Sequence, residues 1–348
     1  MPLHTPFGIS GGAQTVANNV LVTVTLTDGI RGYGEAAPLP AYNGETQAGV
    51  LAALRGIDEW LPGRDVGDWR AIADEFRARG GAACGAAQCA LEMALLDALT
   101  GRAGMPLWKY FGGAGTELET DMTITTGTVA EAAEGARAIR ARGIRVIKVK
   151  IGGGGADGTA KDLARLAAIH EAAPGSPLVI DGNAGLSREA AGELVRGLKD
   201  LGITPALLEQ WLAKDDLAGM RTLRETSGWL VAADEAADSV GAVEKIAAAR
   251  AADVVNIKLM KAGVAEALAM VAAARTAGLG LMIGGNVESI LAMTFSACLA
   301  AGLGGFGFAD LDTPLFLAEN PFEGGYALDG GRISVARITA GHGVRPKN

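Results

Sequence analysis

The chain has 348 residues, of which 49% are hydrophobic and 20% charged, and a formal net charge of −8. That composition can bury a sizeable core and excludes wholesale disorder. The acidic balance argues against a nucleic-acid footprint, and no apolar run approaches the ~20 residues of a membrane span.

The opening MPLHTPFGISGG has neither the basic start nor the apolar stretch of a secretion signal, so a cytoplasmic protein is expected. Its Gly11-Gly12 pair suggests a flexible lid. Next, NNVLVTVTLTDGIRGYGEAAP alternates apolar and polar residues around Asp28-Gly29, a hairpin signal. Helical spacing follows over 45–61, 68–79 and 84–101, which makes residues 1–115 an α+β module. Cys84, Cys89 and Cys298 lack CxxC spacing and read as buried small hydrophobes rather than disulfides or zinc ligands.

From residue 116 the pattern changes. Eight β-like runs begin near Thr120, Arg145, Pro177, Ala206, Trp229, Asp253, Gly280 and Gly305, with amphipathic helical stretches between them. Gly143, Gly202 and Gly278 stand where three of those helices should end. Eight strands alternating with helices read as an α/β fold, a modified (β/α)8 TIM-type barrel over 116–315 beneath the α+β capping domain. A Rossmann sheet competes, but no GxGxxG follows the first strand. The glycine-rich 152–158 reads as a loop, since no P-loop lysine follows it. The tail, 316–348, carries GGYALDGGRISV, a short strand pair expected to return to the N-terminal module and complete it.

Three of the apolar runs end in a carboxylate: LVIDGN at Asp181, ALLEQ at Glu209 and LVAADE at Asp234. The steps of 28 and 25 residues are each about one βα unit, so the three converge at the barrel face where active sites are built. One such acid could be a helix N-cap; three in consecutive units point to a shared site. Adjacent carboxylates repel unless a cation neutralises them, and Mg²⁺ favours a few carboxylates plus substrate and water. Lys148 and Lys150 lie two apart, on one side of the second strand, and Lys258 ends the sixth strand across the barrel. Crowded lysines should have lowered pKa values and so accept protons. Lys261, three residues past its strand, reads as the start of a solvated helix.

Lys148-x-Lys150, Asp181-x-Asn183, Glu209, Asp234-Glu235 and Asn256-x-Lys258, with GYGEAAP, PLWKYFGG and LMIGGNVES, together resemble the muconate-lactonising branch of the enolase superfamily. The resemblance covers essentially the whole chain. It implies Mg²⁺ on Asp181, Glu209 and Asp234, and removal of a proton α to a carboxylate to give a metal-stabilised enediolate. It assigns Lys150 and Lys258 as an opposed acid/base pair and Lys148 as the group polarising the substrate carboxylate. It has Asn183 and Glu235 orient the metal ligands, and Thr123 touch substrate.

Asp310-x-Asp312 in FADLDTP resembles the signature of dipeptide epimerases, which receives the substrate's α-ammonium group. The implied activity is Mg²⁺-dependent inversion of the C-terminal α-carbon of an L,L-dipeptide. An N-acylamino-acid racemase, an o-succinylbenzoate synthase or a muconate cycloisomerase would share the half-reaction, but their substrates lack the ammonium that the Asp pair suits. A non-catalytic metal- or ligand-binding barrel would not need two opposed lysines. Glutamate-type epimerases carry an arginine in the first-domain loop, where PFGISGGAQT has glycine. Together with Gly285-Asn286, in place of a bulkier pair, this counts against an Ala-Glu substrate. The expected partner is a small-molecule dipeptide, with no nucleic acid and no membrane; a homo-oligomer is compatible with this reading.

Overall fold

The computed structural model describes residues 1–9, 12–152 and 158–347. Gly11 and residues 153–157 of the glycine run lie outside them. In the N-terminal module β1 (Pro2–Ile9) pairs with β2 (Gly12–Val16), and β3 (Val20–Thr25) with β4 (Arg31–Ala36), both antiparallel. The second hairpin turns at Asp28-Gly29 as expected: Gly29 sits at φ 86°, and the Asp28 carboxylate accepts from Ile30 N.

Helices α1 (Pro40–Asn43), α2 (Gln47–Ala53), α3 (Trp69–Ala78), α4 (Gly85–Arg102) and α5 (Leu107–Tyr110) follow. The helix expected over 45–61 stops at Ala53, because Gly56 takes φ 78° and the chain restarts as a short 3₁₀ turn. Helix α4 is buried around nearly its whole circumference. It lies directly on β4, where a Cβ on Gly34 would stand 1.9 Å from Ala90 O, so only glycine allows this approach.

After β5 (Glu117–Glu119) come eight parallel strands: β6 (Met122–Ile124), β7 (Ile147–Lys150), β8 (Leu178–Asp181), β9 (Leu207–Glu209), β10 (Val231–Ala233), β11 (Val254–Lys258), β12 (Gly280–Gly284) and β13 (Phe306–Ala309). Each pairs with the next in chain order, and Asp121 N donates to Ala309 O to join the first and last. Between and around them run α6 (Val129–Ala141), α7 (Gly158–Ala172), α8 (Arg188–Asp200), α9 (Leu217–Ser227), α10 (Val240–Ala249), α11 (Val264–Thr276) and α12 (Ile290–Leu303). Thr128 and Glu131 form a capping box on α6. Gly143, Gly202 and Gly278 follow their helices at φ 79°, 67° and 71°, the left-handed positions where a helix is terminated. Val179, Leu207, Ala232, Val254 and Met282 pack together inside the barrel as a floor beneath the strand ends.

In the tail, β14 (Phe322–Gly324) pairs with β17 (Val344–Pro346). The strand pair β15 (Ala327–Asp329) and β16 (Arg332–Ser334) does not return to the N-terminal module as expected but adds to β5, just past residue 115. Other tail positions reach the N-terminal module: Leu317 bridges Leu3, Gly341 bridges Pro106, and His342 N donates to Asp97 Oδ1 at 2.9 Å. All three cysteines are buried, and among the described residues no helix is long and apolar enough to cross a membrane.

One buried carboxylate fastens the cap to the barrel. Glu35 of β4 accepts from Ser289 N and Oγ and from Ala292 N at the start of α12, and from Asn19 Nδ2. Glu35→Ala would strand these donors, so a loss of about 2–4 kcal/mol in urea unfolding is expected. Unchanged unfolding would show that the latch contributes nothing.

Candidate active site

The strand register places the site in one row. Lys150 on β7 lies beside Asp181 on β8, and Asp181 beside Glu209 on β9. Asp234 follows β10 by one residue, and all three carboxylates are fully buried. Each run is apolar up to its terminal acid because the strand passes through the barrel interior and emerges at its C-terminal end. Gly182 follows Asp181 for a packing reason: a Cβ there would stand 2.7 Å from Trp211 Cα.

The lysines meet these carboxylates directly. Lys148 Nζ lies 3.0 Å from Asp181 Oδ2, 2.8 Å from Glu209 Oε2 and 2.6 Å from Asp310 Oδ2. Lys150 Nζ donates to Asp181 Oδ2 at 2.6 Å, and Lys258 Nζ to Asp234 Oδ2 at 2.7 Å. The two lysines therefore anchor on different carboxylates, at β8 and after β10. Asn183 donates its backbone N–H to Asp181 Oδ1 and its amide to Glu235 Oε1, linking two of the expected positions. Thr123 N donates to Asp312 Oδ2 at 2.7 Å, which places Thr123 against the acidic pair. Every site residue expected above thus lies at this one end of the barrel.

The electrostatics differ from the expectation for the lysines. Burial alone would lower the Lys148 and Lys258 ammonium groups, but the facing carboxylates, Asp310 for Lys148 and Asp234 for Lys258, outweigh it and raise both. Burial would likewise raise Asp181 and Asp234, yet Lys150 beside the first and Lys258 beside the second hold them low. Glu209 goes the other way, raised by burial and by the charge of Asp181. Glu235 is pushed up to about 8 by burial and by Asp234, and its Oε2 is buried without a hydrogen-bond partner.

The carboxylate end is therefore short of positive charge despite its lysines. Three buried carboxylates from consecutive strands, with Glu209 still undercompensated, are a donor set that suits a hard divalent cation such as Mg²⁺.

A second acidic group lies nearby. Among the described residues, Asp121, Asp310 and Asp312 bring their ligand atoms within 4.8 Å of one another, close enough to hold a cation. Burial and the neighbouring Asp310 push Asp312 up to about 7, and the same two causes raise Asp121 well above its usual range. Oδ1 of Asp121 and Oδ1 of Asp312 are buried without hydrogen-bond partners.

Several participants escaped the sequence reading. Lys261 is not on a solvated helix: its turn folds back under the barrel rim, and its Nζ donates to Asp234 O, Ala237 O and Asn256 O and pairs with Asp234 Oδ1 at 2.9 Å. Asn256 Nδ2 donates to Glu209 Oε1, and Gln210 Oε1 accepts from Asp234 N and Ala236 N. Tyr42, from the cap, donates to Asp234 Oδ1 at 3.3 Å and places its ring 4.8 Å from Lys258 Nζ. Asp121 directly precedes the first barrel strand, where an acid looks like a turn residue. Asn256 stood in the Asn256-x-Lys258 motif above without a role, which its bond to Glu209 now supplies; Tyr42 carried no signal at all. Gly285, read above as a possible specificity change, has a packing cause: a Cβ would stand 2.6 Å from Glu288 Oε1 and from Met293 Cε.

Comparison with known proteins agrees along the whole length. Residues 1–112 match the mandelate racemase / muconate lactonizing enzyme N-terminal domain, and residues 130–348 the enolase C-terminal domain-like family. The aromatic dipeptide epimerase of Herpetosiphon aurantiacus is 56% identical over 345 residues, covering 99% of this chain and 95% of that protein. The solved structure of the mandelate racemase/muconate lactonizing protein from Herpetosiphon aurantiacus superposes with a TM-score of 0.95 at 55% identity, over 100% of this chain and 96% of that one. The dipeptide epimerase from Enterococcus faecalis, solved with Mg and the dipeptide L-Leu-L-Tyr, superposes with a TM-score of 0.93 at 29% identity, over 99% and 96%.

Proposed function

Because the chain belongs to the mandelate racemase / muconate lactonizing enzyme family of the enolase superfamily, we propose that it is a Mg²⁺-dependent dipeptide epimerase that inverts the α-carbon of a dipeptide's C-terminal residue. The observation that carries this reading is the coexistence, in one buried site, of two lysines on separate carboxylates and the Asp310–Asp312 pair, with Lys148 joining Asp310 to Asp181 and Glu209.

Asp181, Glu209 and Asp234 are assigned as the Mg²⁺ ligands, with Asn183 and Glu235 holding them in place. Bound Mg²⁺ supplies positive charge against the substrate carboxylate as its α-proton leaves. Lys148 adds a second positive charge on that side. Lys150 and Lys258 stand on opposite faces of the α-carbon, one removing the proton and the other returning one, which is what inversion requires. Asp310 and Asp312, with the unpaired oxygens of Asp312 and Asp121 beside them, receive the substrate ammonium, and Thr123 holds Asp312 in place. We place the division of the chain near residue 115, with Leu317, Gly341 and His342 of the tail returning to the cap while its β15–β16 pair stays with β5, and the protein in the cytoplasm.

The substrate side chains are read as apolar or aromatic rather than acidic. A cavity of about 790 Å³ lies between the β1–β2 hairpin and the start of the barrel, lined by Pro6, Gly8, Ala13, Ile124 and Phe316 among others. Among the described residues the β1–β2 hairpin contributes no basic group to it, its charged lining being Glu131 on α6 and Arg142 just past that helix. The apolar reading rests mainly on the similarity to an aromatic dipeptide epimerase.

The test is exchange of the α-proton in deuterated water, read by mass spectrometry, for L-Ala-L-Phe, L-Ala-L-Leu and L-Ala-L-Glu, each with and without N-acetylation. L-Ala-L-Phe should exchange fastest. N-acetylation should lower kcat/KM by tens-fold or more, matching about 2–5 kcal/mol for truncating a desolvated charge pair. Equal turnover of the acetylated compounds would remove the ammonium role of the Asp pair, and a preference for L-Ala-L-Glu would overturn the side-chain reading.

A further inference from the structure

Helices α6 and α8–α12 pack onto the barrel without burying a charged side chain among the described residues; α7 differs, burying Asp162 and Arg165 along with Leu166 and Ile169. Removing a guanidinium and a carboxylate from water is costly, and an apolar pair would pack there more cheaply. The contacts show what the pair holds. Arg165 Nη1 donates to Lys150 O at 2.9 Å and to Asp162 Oδ1 at 3.0 Å, and Arg165 Nη2 donates to Thr125 O at 2.7 Å. Asp162 Oδ2 accepts from Gly152 N at 2.8 Å. One planar fork thus ties the last carbonyl of β7 to the residue just past β6, and its counter-ion clamps the peptide two residues beyond Lys150.

The other lysine is served differently. The backbone before Lys258 is held by Lys261 through Asn256 O, and Arg165 touches nothing there. The two arms of the site therefore have separate anchors.

We propose that Arg165, with Asp162, is a positioning residue for Lys150, fixing the end of β7 so that the Lys150 amine addresses one face of the substrate α-carbon. This rests on the reading of Lys150 and Lys258 as the two bases. Small displacements of a reacting group can cost on the order of 100-fold in rate, and here the cost falls on one face only. A role confined to general stability would slow both faces alike.

Arg165→Lys keeps the charge beside Asp162 but replaces the planar fork, whose Nη1 and Nη2 reach Lys150 O and Thr125 O separately, with a single nitrogen. Asp162→Asn keeps the side chain's shape but leaves a single acceptor oxygen, which cannot serve Gly152 N and Arg165 Nη1 together. Lys150→Ala and Lys258→Ala identify which epimer each base serves. With both epimers of Ala-Phe in deuterated water and thermal melts to confirm folding, both variants should slow exchange about tenfold or more for the epimer that Lys150→Ala silences. They should spare the epimer that Lys258→Ala silences to within about threefold. Equal slowing of both epimers, or of neither, overturns the proposal, and Asp162→Asn decides alone if Arg165→Lys does not fold. If Lys150→Ala and Lys258→Ala fail to silence opposite epimers, the two-base reading falls and this proposal with it. That failure is read from the alanine variants, before residue 165 is considered.

Discussion

Glu209→Gln is expected to cut kcat/KM for dipeptide epimerisation at least a thousand-fold, about 4 kcal/mol of transition-state stabilisation, while leaving the melting temperature near that of the parent. Glu209 sits at the centre of the row between Asp181 and Asp234, and its carboxyl is the one held high by burial and by the charge of Asp181. The amide preserves size and can still accept from Asn256 Nδ2, which bonds Oε1 at 2.8 Å. What it loses is the charge on Oε2, which pairs with Lys148 Nζ at 2.8 Å and which a divalent ion needs. Titration calorimetry with Mg²⁺ should show much weaker binding, alongside loss of α-proton exchange. Asp121→Asn serves as the control, because Asp121, Asp310 and Asp312 also cluster tightly enough for a cation. Mg²⁺ binding that survives Glu209→Gln and vanishes in Asp121→Asn would move the ion to that cluster and reverse the two assignments.

Lys258→Ala should abolish epimerisation to a similar extent yet leave exchange from one epimer measurable. Its ammonium pairs with Asp234, which keeps Lys261 Nζ at 2.9 Å and the Tyr42 hydroxyl at 3.3 Å when Lys258 is removed. The carboxylate therefore stays compensated and the fold should hold. Lys150 remains on its own partner, Asp181, at 2.6 Å, so the half-reaction on its face can continue. Deuterium incorporation from each pure epimer, followed by NMR, separates the two faces. Equal retention of exchange from both epimers would contradict the two-base mechanism.

The residues legible in the sequence are those whose function and local structure share a position. Asp181, Glu209 and Lys258 each end an apolar strand, so the burial pattern and the chemistry point to the same residue. Strands β7–β11 were legible for the same reason, since each is an unbroken buried run, whereas β13 buries only Ala309 and was marked by its place in the βα repeat instead. Tyr42, Lys261 and Arg165 were not. Tyr42 meets Asp234 across 192 residues of chain, and a short cap helix gives no sign of where it will dock. Lys261 looks solvated because only a tight turn sends its side chain back toward Asp234. Arg165 occupies a helix position where an arginine is ordinarily exposed, and only the closeness of α7 to the ends of β6 and β7 reveals its acceptors. The basicity of Lys148 and Lys258 differs from expectation because the sequence shows the acids but not that Asp310 and Asp234 lie directly against these ammonium groups and outweigh their burial.

The contact between Asp97 and His342 bears on how the protein is made. Asp97, on α4 at the heart of the cap, accepts from Tyr33 N and from His342 N, and His342 Nε2 reaches Tyr33 O. Glu35, from the same early segment, finishes the start of α12, more than 250 residues downstream. During synthesis, at about 5–20 residues per second, the first module emerges with these acceptors unfilled and waits on the order of ten seconds or more for the segments that satisfy them. Cap and barrel are thus separate in sequence but not in maturation. The early strands and α4 therefore stay without these partners through most of translation, until residues 289–292 and then His342 have been made.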